Sequence, residues 1–301
     1  MADRRLQVFH AVAKHLSFTK AAEVLFMTQP AVTAQIKHLE EHFNTRLFDR
    51  TRGRISLTPA GQIALDYAER ILDASAELDS CLHAMAGSIS GTLLIGASTT
   101  IADYLLPEVL GNFKAKFPGV MPQLRVANSE WVQQRVLDRS LDIGFIESDS
   151  HVAALATDVC CADELRVVCA PNHPLAELKS VSPAGLLEYP NISRESGSGT
   201  REVIDNYLTS QGVPPDGLQR VMELGSPEAI KRVVATGLGF SIMSSSTVVN
   251  EVRLGQLVQI PLSPRLLRSM SLVYPKERIH LPLVSSFIDF AKQSLGSTGG
   301  A

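Results

Sequence analysis

Apolar residues along the first 58 positions fall into short helical registers separated by small polar residues. Leu6, Phe9, Ala13 and Leu16 recur at spacings of 3, 4 and 3, the stripe of one amphipathic helix. Ser17 follows, able to cap a second helix whose apolar positions are Phe18, Ala22 and Leu25. Ala21 and Ala22 are small enough for another helix to approach closely. Thr28 is a second cap, with Pro30 in the first turn, where its missing N–H is harmless. Val32, Ile36, Leu39 and Phe43 then repeat at 4, 3 and 4 and predict a longer helix that buries all four. Its opposite face carries Gln29, Thr33 and Lys37. Arg50, Arg52 and Arg54 alternate around Gly53, which places them on one side of an extended ribbon; Ile55 and Leu57 stay with the core.

Thr58-Pro59 starts a new helix. Ala64, Ala68, Ile71, Ser75, Leu78, Leu82 and Met85 follow at heptad spacing, a seam some thirty residues and roughly 45 Å long. A second copy of the chain is the natural partner for such a seam; packing onto its own domain is the other reading. Gly87 to Gly91 breaks the helix and acts as a hinge. From Thr92 the texture changes to alternating strands and helices. The pattern predicts strands at 92–97, 123–126 and 142–146 with helices at 104–117 and 131–137, then a second series. That series has strands at 165–170, 221–224 and 239–243 with helices at 199–211 and 226–236. A strand at 270–274 and a helix at 281–294 close the chain. Two such series imply doubly wound parallel sheets in two lobes.

Ligands of such sheets bind beyond the strand C-termini. Three strand-to-helix junctions there carry helix-capping residues that suit anions. They are Ser98-Thr99-Thr100; Ser196-Gly197-Ser198-Gly199-Thr200-Arg201, preceded by Arg194; and Gly225-Ser226-Pro227-Glu228. Glu147 follows a predicted strand and is expected on the rim of the cleft. There it favours a protonatable anion such as sulfite over sulfate.

The paired caps, the periodic faces and the arginine ribbon of residues 17–58 read as a winged helix-turn-helix. Its second helix is sized for a major groove and its ribbon for phosphates or the minor groove. The residues placed at DNA are Ser17, Thr19, Thr28, Gln29, Pro30, Thr33, Gln35, Lys37, Arg50, Arg52 and Arg54. Here the chain resembles the LysR-type transcriptional regulators. The resemblance is carried by Phe9, Ser17-Phe18-Thr19, Ala21-Ala22, Leu25, Thr28-Gln29-Pro30-Ala31-Val32-Thr33, Ile36 and Leu39-Glu40. It continues through Leu47-Phe48, Arg50 and Leu57-Thr58-Pro59-Ala60-Gly61. Ala34 stands where many relatives carry Arg.

The resemblance implies a fold in two parts. An all-α winged helix-turn-helix over 1–58 leads to a dimerising linker helix over 59–87 and a hinge at 88–91. An α/β effector domain of the periplasmic-binding-protein type then spans 92–295. Its first lobe covers 92–161 and 267–295, and its second 162–266, with the return near 264–270. It also implies double-stranded DNA, RNA polymerase, a small anionic effector and further copies of the chain as partners. The copies would form a dimer of dimers, a homotetramer. The run Arg194 to Arg201 looks like members linked to sulfur assimilation.

Composition sharpens this reading. The chain has 301 residues, 45% hydrophobic, with a net charge of −3. Residues 1–58 hold 9 Lys+Arg against 5 Asp+Glu, a net of +4, which leaves 19 against 26, or −7, for the remainder. A basic head on an acidic body suits nucleic acid at one end only. No apolar run reaches the roughly 20 residues of a membrane span, no secretion signal is recognisable, and a cytoplasmic protein is expected. Cys81, Cys160, Cys161 and Cys169 lack metal or redox spacing. The tail from Gly296 is expected to be disordered. Neither a catalytic residue nor a cofactor is expected. Ser17-x-x-Lys20 lacks the partners of an acylating enzyme, and His38 with His42 lacks a metalloprotease motif. Ser196-Gly-Ser-Gly-Thr lacks the end of a phosphate loop, and Gly237-Leu-Gly239 lacks the third glycine of a dinucleotide site. The competing reading is a solute-binding or enzymatic α/β protein whose N-terminal helices mediate assembly.

Overall fold

A computed structural model describes residues 4–50, 55–85, 89–148, 150, 152–276 and 281–296. The chain divides into two compact units, Met1–Gly87 and Ser88–Ala301.

In the first unit, helices α1 (Arg4–His15), α2 (Phe18–Val24) and α3 (Gln29–His42) precede a ribbon and a long helix. The ribbon pairs β1 (Phe48–Asp49) antiparallel with β2 (Ser56–Leu57), and α4 (Pro59–Met85) follows. Ser17 and Thr28 both act as N-caps, their hydroxyls accepting from Lys20 N and Ala31 N, each cap contributing about 1 kcal/mol. Val8, Phe9, Val12, Ala21, Val32 and Ile36 are fully buried. Phe48 packs against Phe9 and Phe18 with ring centroids 5.4 and 5.9 Å away.

Two of the residues expected in this core are exposed. Leu16 is 48% exposed, because the chain turns at it with φ of +46° to enter α2; Val8 and Val12 fill the stripe instead. Phe43 is 52% exposed because α3 has ended: it is the C-cap residue. The α4 seam is divided. Ala68 is buried, and Ala64 partly so, in the unit's own core. Ile71, Leu78 and Leu82 are exposed by 47, 54 and 54%. The side chains of Cys81 and Met85 lie outside the described residues. Gly61 sits where α4 meets the ribbon, and a Cβ there would fall 2.0 Å from the Leu47 carbonyl oxygen.

The second unit is built on two strands that traverse both of its lobes, β6 (Leu155–Cys169) and β11 (Leu266–Pro275), paired antiparallel. The first lobe adds β3 (Gly91–Ala97), α5 (Thr99–Tyr104), α6 (Leu106–Lys116), β4 (Val120–Val126), α7 (Ser129–Leu137) and β5 (Ile143–Ile146). The second adds β7 (Pro190–Arg194), α8 (Gly199–Ser210), β8 (Gln219–Leu224), α9 (Pro227–Val234), β9 (Ser241–Ser244), α10 (Val249–Arg253) and β10 (Val258–Ile260). α11 (Pro282–Gly296) returns to the first lobe, where Phe287 stacks edge-on against Phe113 and Phe145.

Among the described residues, parallel strand pairing joins β3 with β4 and β5, and β7 with β8, with isolated parallel bridges at Val181–Leu262 and Asn191–Phe240. The strands around β6 and β11 are antiparallel, which corrects the expectation of purely parallel sheets. A strand that leaves one lobe and a strand that comes back must run in opposite senses.

Candidate functional site

On the first unit, α3 presents Gln29, Thr33 and Lys37 four residues apart on one face. Gln29, Pro30 and Lys37 are exposed, as are Thr19 and Thr28, while Ser17, Thr33 and Gln35 are half-buried. Four of these groups are already engaged. The Ser17 and Thr28 hydroxyls cap helices, and the Thr33 hydroxyl donates to the Gln29 carbonyl at 3.0 Å. Lys37 lies 3.5 Å from Glu41. Arg50 is half engaged: its guanidinium lies over the Phe18 ring at 4.7 Å and 3.6 Å from Glu40, with 45% of the side chain still exposed. Glu40 in turn accepts from the Leu47 and Phe48 amides. Arg52 and Arg54 lie outside the described residues.

In the second unit, the junctions singled out in the sequence meet unequally at the cleft between the lobes. Thr100 at the start of α5 and Thr200 at the start of α8 line one pocket with Arg194, Ser244 and Thr247. Its other wall is apolar: Pro227, Ile230, Ile242 and Met243. Ser98 and Ser198 are the N-caps of α5 and α8, yet neither side chain makes the capping bond, and both hydroxyls are buried without a partner. Gly197, at φ +80°, lets the loop before α8 run against the first lobe. A Cβ there would lie 2.6 Å from the Glu130 carboxylate. Asn128 Nδ2 donates to the Ser196 carbonyl at 3.3 Å and Glu130 N to that of Gly197 at 3.2 Å. At Gly199 the neighbour is Ser129 Oγ, 2.6 Å from a notional Cβ.

Glu147 is not on the rim. It is 1% exposed, its carboxylate accepts from the Thr200 hydroxyl, and Arg268 Nη1 lies 3.2 Å away. Burial alone would push its carboxyl up; the Arg268 guanidinium, the Thr100 and Thr200 hydroxyls and Arg194 outweigh this and hold it at about 2. Glu147 is therefore a charged floor to the cleft, neutralised where it stands. Arg268 also donates from Nε to Asp163 at 2.8 Å and from Nη1 to Thr200 at 2.8 Å, and Asp163 accepts from Ser244 at 2.7 Å. Nη2 of Arg268 is buried with no partner.

Most of the remaining predicted residues are engaged with partners of their own, Arg194 while it also lines the pocket. Arg194 is buried and forks onto Glu195 at 2.7 and 2.9 Å. Arg201 turns away to Glu223 at 2.6 Å and to Asp205 at 3.7 Å. Ser196 is exposed and Thr99 half-buried. Ser226 caps α9 through Ala229 N, and Glu228 bonds Tyr104 and Lys231. Sequence reasoning missed Asp163, Ser244 and Arg268. Their signal is faint: Arg268 interrupts the apolar run of Leu266, Leu267 and Met270, whereas Asp163 adjoins Glu164 and Ser244 ends its strand in a run of serines.

Among the described residues no group of His, Cys, Asp and Glu could hold a metal ion, and no helix is long and apolar enough to cross a membrane. Burial raises the thiols of Cys160 and Cys169 to about 11, and Cys161 is raised as well. These three are poor nucleophiles.

Residues 4–62 match the model of the bacterial regulatory helix-turn-helix proteins of the lysR family, and residues 86–296 that of the LysR substrate binding domain. The chain is 36% identical over 289 residues to the uncharacterised HTH-type transcriptional regulator YeiE of Escherichia coli, covering 95% of this chain and 96% of that one. Full-length OxyR from Pseudomonas aeruginosa, solved as a cysteine-to-aspartate variant, shares the fold, with a TM-score of 0.73 at 21% identity over 98% of this chain and 94% of that one. The regulatory domain of CcmR from Synechocystis PCC6803, solved in complex with 2-PG, is 27% identical. It covers 68% of this chain and 98% of that one, with a TM-score of 0.63.

Proposed function

The chain belongs to the LysR family of ligand-responsive, DNA-binding transcription regulators, and on that premise we propose that its ligand is a small oxyanion of the sulfite class, held between α5 and α8. The observation that carries this reading is the excess of donors left buried and unpartnered there, the Ser98 and Ser198 hydroxyls and Arg268 Nη2 against one acceptor, Glu147 Oε1. A buried donor without an acceptor costs free energy, and an anion supplies several acceptors at once. The free N–H groups at the start of α8, a helix of 12 residues, add a positive dipole end. The Thr100 and Thr200 hydroxyls, which bond Glu147, hold that carboxylate beside the cradle. Because Glu147 is already ionised, any proton shared between it and the anion belongs to the anion, which favours sulfite or phosphate over sulfate.

The apolar wall of Pro227, Ile230, Ile242 and Met243 supports a second reading, an anion attached to a short carbon skeleton; CcmR binds 2-PG. Calorimetry of the full chain against sulfite, sulfate, phosphate and 2-PG separates the two. Sulfite binding that exceeds sulfate binding supports the first, and selective binding of 2-PG supports the second. If only aromatic or apolar compounds bind, the oxyanion reading fails.

For the DNA-binding unit the same premise gives α3 the major groove through Gln29, Thr33, Gln35 and Lys37. Ser17, Thr19, Thr28 and Pro30 lie at the backbone, and Arg50, Arg52 and Arg54 at phosphates. The exposed residues Ile71, Leu78 and Leu82 pair α4 with a second copy, and effector domains join two dimers into a tetramer.

A further inference from the structure

Lys231 of α9 has a side chain only 5% exposed, and four oxygens surround its ammonium. Glu228 Oε1 lies at 2.7 Å, Glu251 Oε1 at 2.8 Å, the Thr247 carbonyl at 3.0 Å and Tyr104 Oη at 3.0 Å. The first three belong to the second lobe, so the charge is satisfied there whatever the first lobe does. Tyr104 comes from the first lobe. Its hydroxyl donates to Glu228 and accepts from Lys231, so both of its hydrogen-bonding roles are spent on charged groups across the lobe boundary.

Tyr104 is the last residue of α5, and Thr100, in the first turn of that helix, lines the pocket. Four residues apart on one helix, the two side chains lie on the same face, about 6 Å apart along the axis. A helix of six residues cannot hold its own orientation without tertiary contacts, so whatever fixes one end fixes the other. We propose that Tyr104 is a positioning residue of the effector cleft. By fastening the end of α5 to the Glu228–Lys231 pair of the second lobe, it sets the approach of the Ser98 and Thr100 hydroxyls to the start of α8. This inference rests on the reading of that cleft as the effector site. The other side of the cleft is clasped independently, by Asn128 and Glu130 on the carbonyls of Ser196 and Gly197, so removing the Tyr104 hydroxyl loosens one side without unfolding the domain.

The test is hydrogen–deuterium exchange of the full chain over residues 99–104, compared among wild type, Tyr104→Phe and Tyr274→Phe. Tyr274 bonds Asp158 within the first lobe at 2.7 Å and serves as the control for loss of a tyrosine hydroxyl alone. Exchange in α5 is expected to quicken about threefold or more in Tyr104→Phe, as for a local opening made easier, and to stay at the wild-type rate in Tyr274→Phe. Calorimetry with sulfite as probe is expected to show about tenfold weaker binding to Tyr104→Phe and wild-type affinity in Tyr274→Phe, with the melting temperature lowered to a similar extent in both, since each loses a hydrogen bond to a charged group. Unaltered α5 exchange in Tyr104→Phe, or equal acceleration in the control, overturns the interlobe fastening. Faster exchange with unchanged sulfite affinity overturns the positioning role. If wild type binds none of sulfite, sulfate, phosphate and 2-PG, the effector reading falls and takes the positioning role with it, while the exchange rates still decide the fastening.

Discussion

Arg268 meets Glu147 with both side chains 1% exposed and also pairs with the buried Asp163 at 2.8 Å, so removing the arginine strands two buried carboxylates. Arg268→Met should destabilise the domain by about 3–5 kcal/mol, and the double change with Glu147→Met should recover only part of that loss, because Asp163 remains buried without its arginine. Denaturant melts of the single and double variants check this; equal losses in both would mean that the pair is not coupled. The same carboxylate sets a pH window. Its pKa falls from the ordinary 4.5 to about 2 on folding, so the stability that it contributes is present in full above 4.5 and lost as pH falls through about 2. Acid unfolding of Glu147→Gln should therefore be shallower between those values than that of wild type, read by circular dichroism. Thr200, which touches both ions, couples this network to the ligand. Thr200→Val should weaken effector binding by about 1–3 kcal/mol.

At the scale of elements, α4 and α3 do different work and fail differently. Leu78 and Leu82 are each 54% exposed, and placing carboxylates there should reduce the full chain from a tetramer to dimers joined through effector domains. Sedimentation velocity of Leu78→Asp with Leu82→Asp measures this, and a wild-type-like assembly in the variant would remove the α4 interface. Operator affinity should drop with it, because two half-sites must be held together. Gln29→Ala should relax sequence preference by about 1–3 kcal/mol at one base position, while Arg50→Ala should weaken binding to all sequences and flatten its salt dependence. Arg50 also stacks on Phe18 and faces Glu40, so its loss should lower the melting temperature, which the other change should not.

These elements differ in how plainly the sequence announces them. Helix caps and periodic stripes act over three or four residues, so α2, α3 and the start of α4 are legible. Strands β7 and β10 are short and find their partners far along the chain, and β6 extends ten residues before the expected start because its pairing with β11 supplies what local pattern does not.

Across the whole chain, binding at the cleft must bear on the arrangement of the two lobes, since its groups come from both. Thr100 and Glu147 belong to the first, Thr200 and Ser244 to the second, and Arg268 to a strand shared between them. The hydroxyl-rich junctions at 98–100 and 196–201 were readable because capping chemistry is local. The ion network beneath them was not, since Asp163, Glu147 and Arg268 are brought together only by the traversing strands. On the proposed reading, that network decides which anion fits. The most direct measurement is calorimetry of the full chain with sulfite and with sulfate, on wild type and on Ser198→Ala. Saturable sulfite binding at one site per chain, weaker binding of sulfate, and about tenfold weaker sulfite binding in the variant, as for one lost hydrogen bond to a charged ligand, are the expected results. Sulfite binding that Ser198→Ala leaves unchanged, or no binding of either anion, would contradict the account.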